Sequence, residues 1–172
     1  MSEQPERKEF SDRIEYQLNG KLHREDGPAI EYADGTKCWY VDGKRHRTDG
    51  PAIEWANGHK EWYIDGKCHR LDGPAVEKTN GDTAWYMDGS LHRLDGPAVE
   101  WVDGNKAWYM DGSLHRLDGP AVERADGSKE WWVYGKEVSK TDVDNLRLKT
   151  LTLSFVVNRR IWKKCHLEKY NK

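Results

Sequence analysis

The sequence predicts an all-β repeat protein: an elongated, twisted antiparallel ribbon of stacked 23-residue β-hairpin repeats with a small C-terminal α or α/β cap. Three observations predict it. The heptapeptide His-Arg-x-Asp-Gly-Pro-Ala opens at His23, His46, His69, His92 and His115, always 23 residues apart, and such a fixed period marks one supersecondary unit stacked on copies of itself. Two turn signals per period, Asp-Gly after a Trp-Tyr pair and Asp-Gly or Asn-Gly after Glu, divide each repeat into two hairpins. Finally, nine Trp and eight Tyr stand beside two Phe in a chain that is 34% charged. A composition so poor in aliphatic residues favours large rings packed along a thin body over a thick core.

Taken in order, residues 1–12 are polar and contain Pro5, and they read as a disordered leader. The array follows over residues 13–136. Its first hairpin turns at Asp42-Gly43, Asp65-Gly66, Asp88-Gly89 and Asp111-Gly112, two-residue loops suited to the type I′ turn. That register sets Trp39 opposite His46 and Tyr40 opposite Arg45. The second hairpin turns through Ala33-Asp34-Gly35, Ala56-Asn57-Gly58, Val102-Asp103-Gly104 and Ala125-Asp126-Gly127. A three-residue loop with Gly in the left-handed position sets Glu31 against Lys37, Glu54 against Lys60, Glu100 against Lys106 and Glu123 against Lys129. A two-residue loop would instead oppose Glu54 and Glu61, and like charges across strands destabilise. The longer loop also pairs Ala29, Ala52, Ala98 and Ala121 with Trp39, Trp62, Trp108 and Trp131. By side-chain alternation, Trp, His, Ala and the Glu/Lys pairs share one face, while the tyrosines, the heptad arginines and Ile or Val share the other. Asp-Gly-Pro-Ala links the hairpins: Gly supplies the bend, and Pro cannot sit inside a paired strand.

Residues 137–172 form a basic C-terminal cap or tail. Ser139 is an N-cap candidate for a short helix reaching about Leu148. Beyond it, Leu151 to Val157 alternate like a strand, and Arg159 to Tyr170 suit a basic helix. From Asn145 to Lys172 there are eight Lys or Arg and one Glu, whereas the whole chain carries −2, so the array is acidic and the tail basic.

No stretch approaches the roughly 20 apolar residues of a membrane span, and the N-terminus lacks a signal-peptide pattern. Cys38, Cys68 and Cys165 follow no pairing or metal spacing, which fits free thiols in a reducing, cytoplasmic setting. Neighbouring heptad histidines would stand roughly 9.6 Å apart, two strand spacings, too far to share a zinc ion whose ligands lie about 2 Å away. No metal or cofactor is expected. A residue copied five times without a neighbouring nucleophile or phosphate loop also argues against an enzyme.

The core Asn19-Gly20-Lys21-Leu22-His23 and Asp65-Gly66-Lys67-Cys68-His69, the period and the later Asp-Gly resemble MORN repeats over about 120 of the 172 residues. Arg in place of the usual Gly after His, followed by x-Asp-Gly-Pro-Ala, looks like the MORN-variant repeats of bacterial and tailed-phage proteins. The resemblance implies a noncatalytic scaffold. Some family members are proposed to contact membrane lipids, and related variants are labelled antitoxin-like. The expected function is therefore recognition of a protein partner, as a phage or bacterial inhibitor or antitoxin-like protein in the cytoplasm, the host's if phage-encoded. The candidate partner-binding residues are Tyr40, Arg47, Tyr63, Arg70, Tyr86, Arg93, Tyr109 and Arg116, residue types enriched at binding hot spots. The alternative is a binder of nucleotide or nucleic acid, through that face or through Arg159, Arg160, Trp162, Lys163 and Lys164 in the tail. The repeats' own negative charge opposes phosphate binding.

Overall fold

Turn chemistry sets the architecture. Asp42 and Gly43 have φ of 50° and 79°, the left-handed pair that defines a type I′ turn and matches the twist of its flanking strands. Asp34-Gly35 closes the other hairpin differently: Gly35 N donates to Tyr32 O and Tyr32 N to Thr36 O, the three-residue loop ending on a left-handed Gly. Both registers follow from these turns. Tyr40 pairs with Arg45, Glu31 with Lys37 and Glu54 with Lys60.

The computed structural model describes residues 4–149. Its opening strands are β1 (Glu6–Glu9), β2 (Arg13–Leu18), β3 (Lys21–Leu22), β4 (Ile30–Tyr32), β5 (Lys37–Cys38), β6 (Tyr40–Val41), β7 (Lys44–Arg45) and β8 (Ile53–Glu54). The pattern then recurs to a final hairpin, Lys129–Val133 with Lys136–Val138. One antiparallel sheet of 14 strands runs the length of the array, built mainly from the strands beside the three-residue loops. Four of the type I′ hairpins form separate two-stranded ladders along it, whereas those turning at Asn19-Gly20 and Tyr134-Gly135 are continuous with the sheet. The long sheet with its flanking hairpins is the expected ribbon of stacked 23-residue repeats, and the reason its ladders divide is local. Only Trp39 separates β5 from β6, and its N–H donates to Ala52 O while its C=O accepts from His46 N. At Trp39 the chain thus changes partner, from the long sheet to its own hairpin.

The core is thin. Ala29, Ala52, Ala75, Ala98 and Ala121 are fully buried, and the last four each accept a backbone hydrogen bond from a tryptophan N–H. On the other face Ile30, Cys38 and Ile53 cluster, with Tyr32, Tyr40 and Tyr63 packed against them.

The ends are finished separately. Residues 6–9, expected within a disordered leader, instead form β1, paired from Glu6↔Gln17 to Glu9↔Ile14. Its Glu-Arg-Lys-Glu sequence suits a solvent-facing edge, where charge discourages further pairing. At the other end helix α1 covers residues 140–149. Ser139 is its N-cap: Asp142 N donates to Ser139 Oγ at 3.1 Å, and Ser139 N and Oγ donate to Asp142 Oδ2 at 3.1 and 2.6 Å. Val143 anchors it and is buried. The strand and helix expected beyond residue 150 lie outside the described residues. No helix among the described residues is long and apolar enough to cross a membrane.

Candidate functional site

Each Asp-Gly-Pro-Ala link is held by one arginine. Arg70 donates from Nε to Asp72 Oδ1 at 2.9 Å, and from Nη1 to Pro74 O at 3.2 Å and Glu77 Oε1 at 2.8 Å. Its guanidinium lies 4.1 Å from the ring centroid of Trp62. Arg47, Arg93 and Arg116 repeat the arrangement over Trp39, Trp85 and Trp108, each at 4.0 Å, and Arg24 stacks on Tyr16.

This corrects the expected faces. Arg47, Arg70, Arg93 and Arg116 stack on tryptophans that alternation alone would set on the opposite face, because strand β7 ends at Arg45 and the link that follows, bent at 48–50, no longer alternates. Glu54, set opposite Lys60 by the backbone register, gives its carboxylate to Arg47 at 2.9 Å. The link glycine sits in the expected bend and has a second role as well. Gly73 has no positive φ, but a Cβ there would stand 2.8 Å from Arg70 Cζ. Its missing side chain is the space the guanidinium fills.

The heptad histidines join one repeat to the next. Asp65 N donates to His46 Nδ1 at 3.2 Å, and Asp65 Oδ1 lies 3.0 Å from the same nitrogen. The geometry recurs at His23 with Asp42, His69 with Asp88 and His92 with Asp111. A neutral ring that accepts this bond carries its proton on Nε2. His115 meets Tyr134 N instead, at 3.2 Å, and burial lowers its pKa. Sequence reasoning placed the imidazole beside Trp and missed its hold on the next turn. The constant 19-residue offset between each His and that Asp was the available signal.

Between successive links lie open clefts of 650, 570, 480 and 560 Å³, repeating along the array. The one between the links at 47–50 and 70–72 has Trp62, Ile64 and His69 among its walls. Leu71 and Leu94 at the link tips are each 79% exposed, and both line the cleft they bound together. Beside them Asp49, Asp72 and Asp95 are exposed, with side chains 80%, 85% and 85% accessible. The hydrogen bond from arginine Nε, then its charge, lowers the pKa of each of these carboxyls, so they remain ionised.

Of the predicted partner-binding residues, Arg47, Arg70, Arg93, Arg116, Tyr86 and Tyr109 line these clefts. Tyr40 and Tyr63 pack instead against the Ile30, Cys38 and Ile53 cluster. Tyr63 donates its hydroxyl to Glu61 at 2.8 Å, and burial with that bond pushes its pKa up to about 12. Arg159, Arg160, Trp162, Lys163 and Lys164 lie outside the described residues. The exposed leucines of the link edge were not singled out from sequence, because in a linear reading they sit inside a motif that looks purely structural.

Cys38 and Cys68 are free thiols. Burial raises both pKa values, that of Cys68 to about 12. Among the described residues no group of three or more His, Cys, Asp or Glu is placed to hold a metal ion. No family model matches the chain, and no curated protein matches it.

Proposed function

We propose that the chain is a noncatalytic scaffold that recognises a protein partner along its link edge. The observation that carries this reading is the row of clefts, three of them rimmed by Leu71 or Leu94, which expose apolar side chains at two successive repeats. Regularly placed apolar tips beside partly covered tryptophans supply contact area on a rigid support, so little ordering is needed on binding. The repeat arginines serve this surface indirectly. Their Nε and Nη1 groups are engaged by Asp, Pro and Glu within the link, which shapes the clefts and disfavours phosphate recognition there. The likeness of His-Arg-x-Asp-Gly-Pro-Ala to MORN-variant repeats supports an inhibitor or antitoxin-like role in the cytoplasm.

A photo-crosslinking amino acid at position 71 or 94 tests this. We expect it to trap one defined protein in stoichiometric yield, while the same probe at Ala33, on the opposite loops, traps none. Capture from position 33 and not from 71 or 94 would move the site off the link edge.

A further inference from the structure

The partner's chemistry can be read from the spacing and charge of the clefts, an inference that rests on the scaffold reading. We propose that the row of clefts accepts a segment of a partner protein in polyproline II conformation, with Lys or Arg at every third position.

Spacing comes first. Each repeat adds two strands to the long sheet, and at about 4.8 Å per strand successive clefts are roughly 9.6 Å apart. A polyproline II helix rises about 3.1 Å per residue with three residues per turn, so every third side chain returns to the same face after about 9.3 Å. The mismatch is about 0.3 Å per repeat and accumulates to only about 1 Å between the first and fourth clefts. An extended β-segment alternates its side chains, so residues three apart point to opposite faces. An α-helix returns after seven residues and about 10.5 Å, and drifts by nearly 3 Å over the same row.

The backbone of the rim argues the same way. Every link contains a proline, Pro51, Pro74 and Pro97 among them, whose C=O is already taken by an arginine. Proline also has no N–H to donate, so this edge offers no continuous ladder to an added strand, whereas polyproline II needs none because its backbone stays solvated.

Charge selects the side chain. Residues 4–149 hold 22 Lys or Arg against 28 Asp or Glu, and each rim carries an exposed aspartate beside the leucine at positions 71 and 94. Asp72 gives Oδ1 to Arg70, but an ionised carboxylate offers about four acceptor sites. A Lys or Arg from the partner satisfies both features of the rim, laying its methylene stem along Leu71 and bringing its charge to Asp72.

The test compares two synthetic twelve-residue peptides of identical composition by calorimetry at fixed salt, using the full chain. One is (Pro-Pro-Lys)₄ and the other has its four lysines consecutive. The periodic peptide should bind at least tenfold more tightly than its isomer. The double substitution Leu71→Ser with Leu94→Ser should remove at least tenfold of that affinity without moving the melting temperature, since both side chains are exposed. Equal binding of the two isomers would reduce the interaction to unpatterned charge attraction and overturn the proposal, as would no binding of the periodic peptide. Concentration-dependent dimerisation abolished by the leucine substitutions would assign the edge to a second copy, and also overturn it. If the peptides fail while crosslinking at position 71 still captures one protein, the scaffold reading stands and only the polyproline inference falls. If both fail, both fall.

Discussion

Arg70 shows how much of the repeat rests on one side chain. It ties together the link, the following strand and the tryptophan beneath it. Truncation strands the Pro74 carbonyl and the Glu77 carboxylate in a half-buried site, so Arg70→Ala should lower stability by about 2 kcal/mol in urea titration. Arg70→Lys should recover little, because an ammonium cannot reproduce the planar fork or the stack. Gly73→Ala attacks the same feature from the other side by filling the guanidinium's space. In a double-mutant cycle the pair should cost little more than Arg70→Ala alone; additive losses would show that Gly73 acts independently. At Cys68 the thiol raised to about 12 leaves almost no thiolate near neutrality. Alkylation of Cys68 at pH 8, followed by peptide mapping, should be at least about 100-fold slower in the native protein than in urea, and Cys38 should also be slowed.

At the scale of the hairpin, both loop types and both registers were legible, because Asp-Gly, Asn-Gly and the Glu/Lys pairs encode them locally. The arginine's pairing with the aspartate two residues on was legible as well, as in Arg70-Leu71-Asp72. Its stack on tryptophan was not, because that depends on the link after β7 and on a ring that strand alternation places on the other face. The His–Asp contacts escaped for a related reason: they join two turns in neighbouring repeats and leave no hydrophobic pattern. Strand β1 was hidden by its charges, which mark an edge as readily as they mark disorder. These elements also set the response to acid. Asp26, Asp49, Asp72 and Asp95 have depressed pKa values, chiefly through arginine hydrogen bonds. Their contribution is present above the unfolded value of about 3.9 and is lost as pH falls through the folded one. Burial depresses His115 as well, so the unfolded chain takes up that proton first as pH drops below about 6.5. Both slopes have one sign. The melting temperature should ease downward below about pH 6.5 and fall more steeply below about pH 4; a rise between pH 6 and 4 would contradict the assignment.

For the whole molecule, stability should be a sum of repeat and interface terms rather than the property of one core. The thirteen-strand path of the long sheet spans roughly 60 Å at about 4.8 Å per step. Solution scattering should accordingly give a radius of gyration well above the roughly 15.5 Å of a globule of this length. Deleting residues 1–9 should bare the edge of β2 and promote self-association, measurable by sedimentation, because β1 covers that edge. One consequence of the strand direction is mechanical. The strands lie across the long axis, with β1 at one end and Lys136–Val138 at the other, so tension between the two ends pulls along the hydrogen bonds instead of across them. Bonds loaded that way part a few at a time, as a zipper does, and the array should yield at low force. Each 23-residue repeat would release roughly 70 Å, the extended length of its chain less the distance it occupied when folded. Under load this protein would behave as a graded extensible tether, paying out length in equal steps while the repeats not yet reached keep their shape.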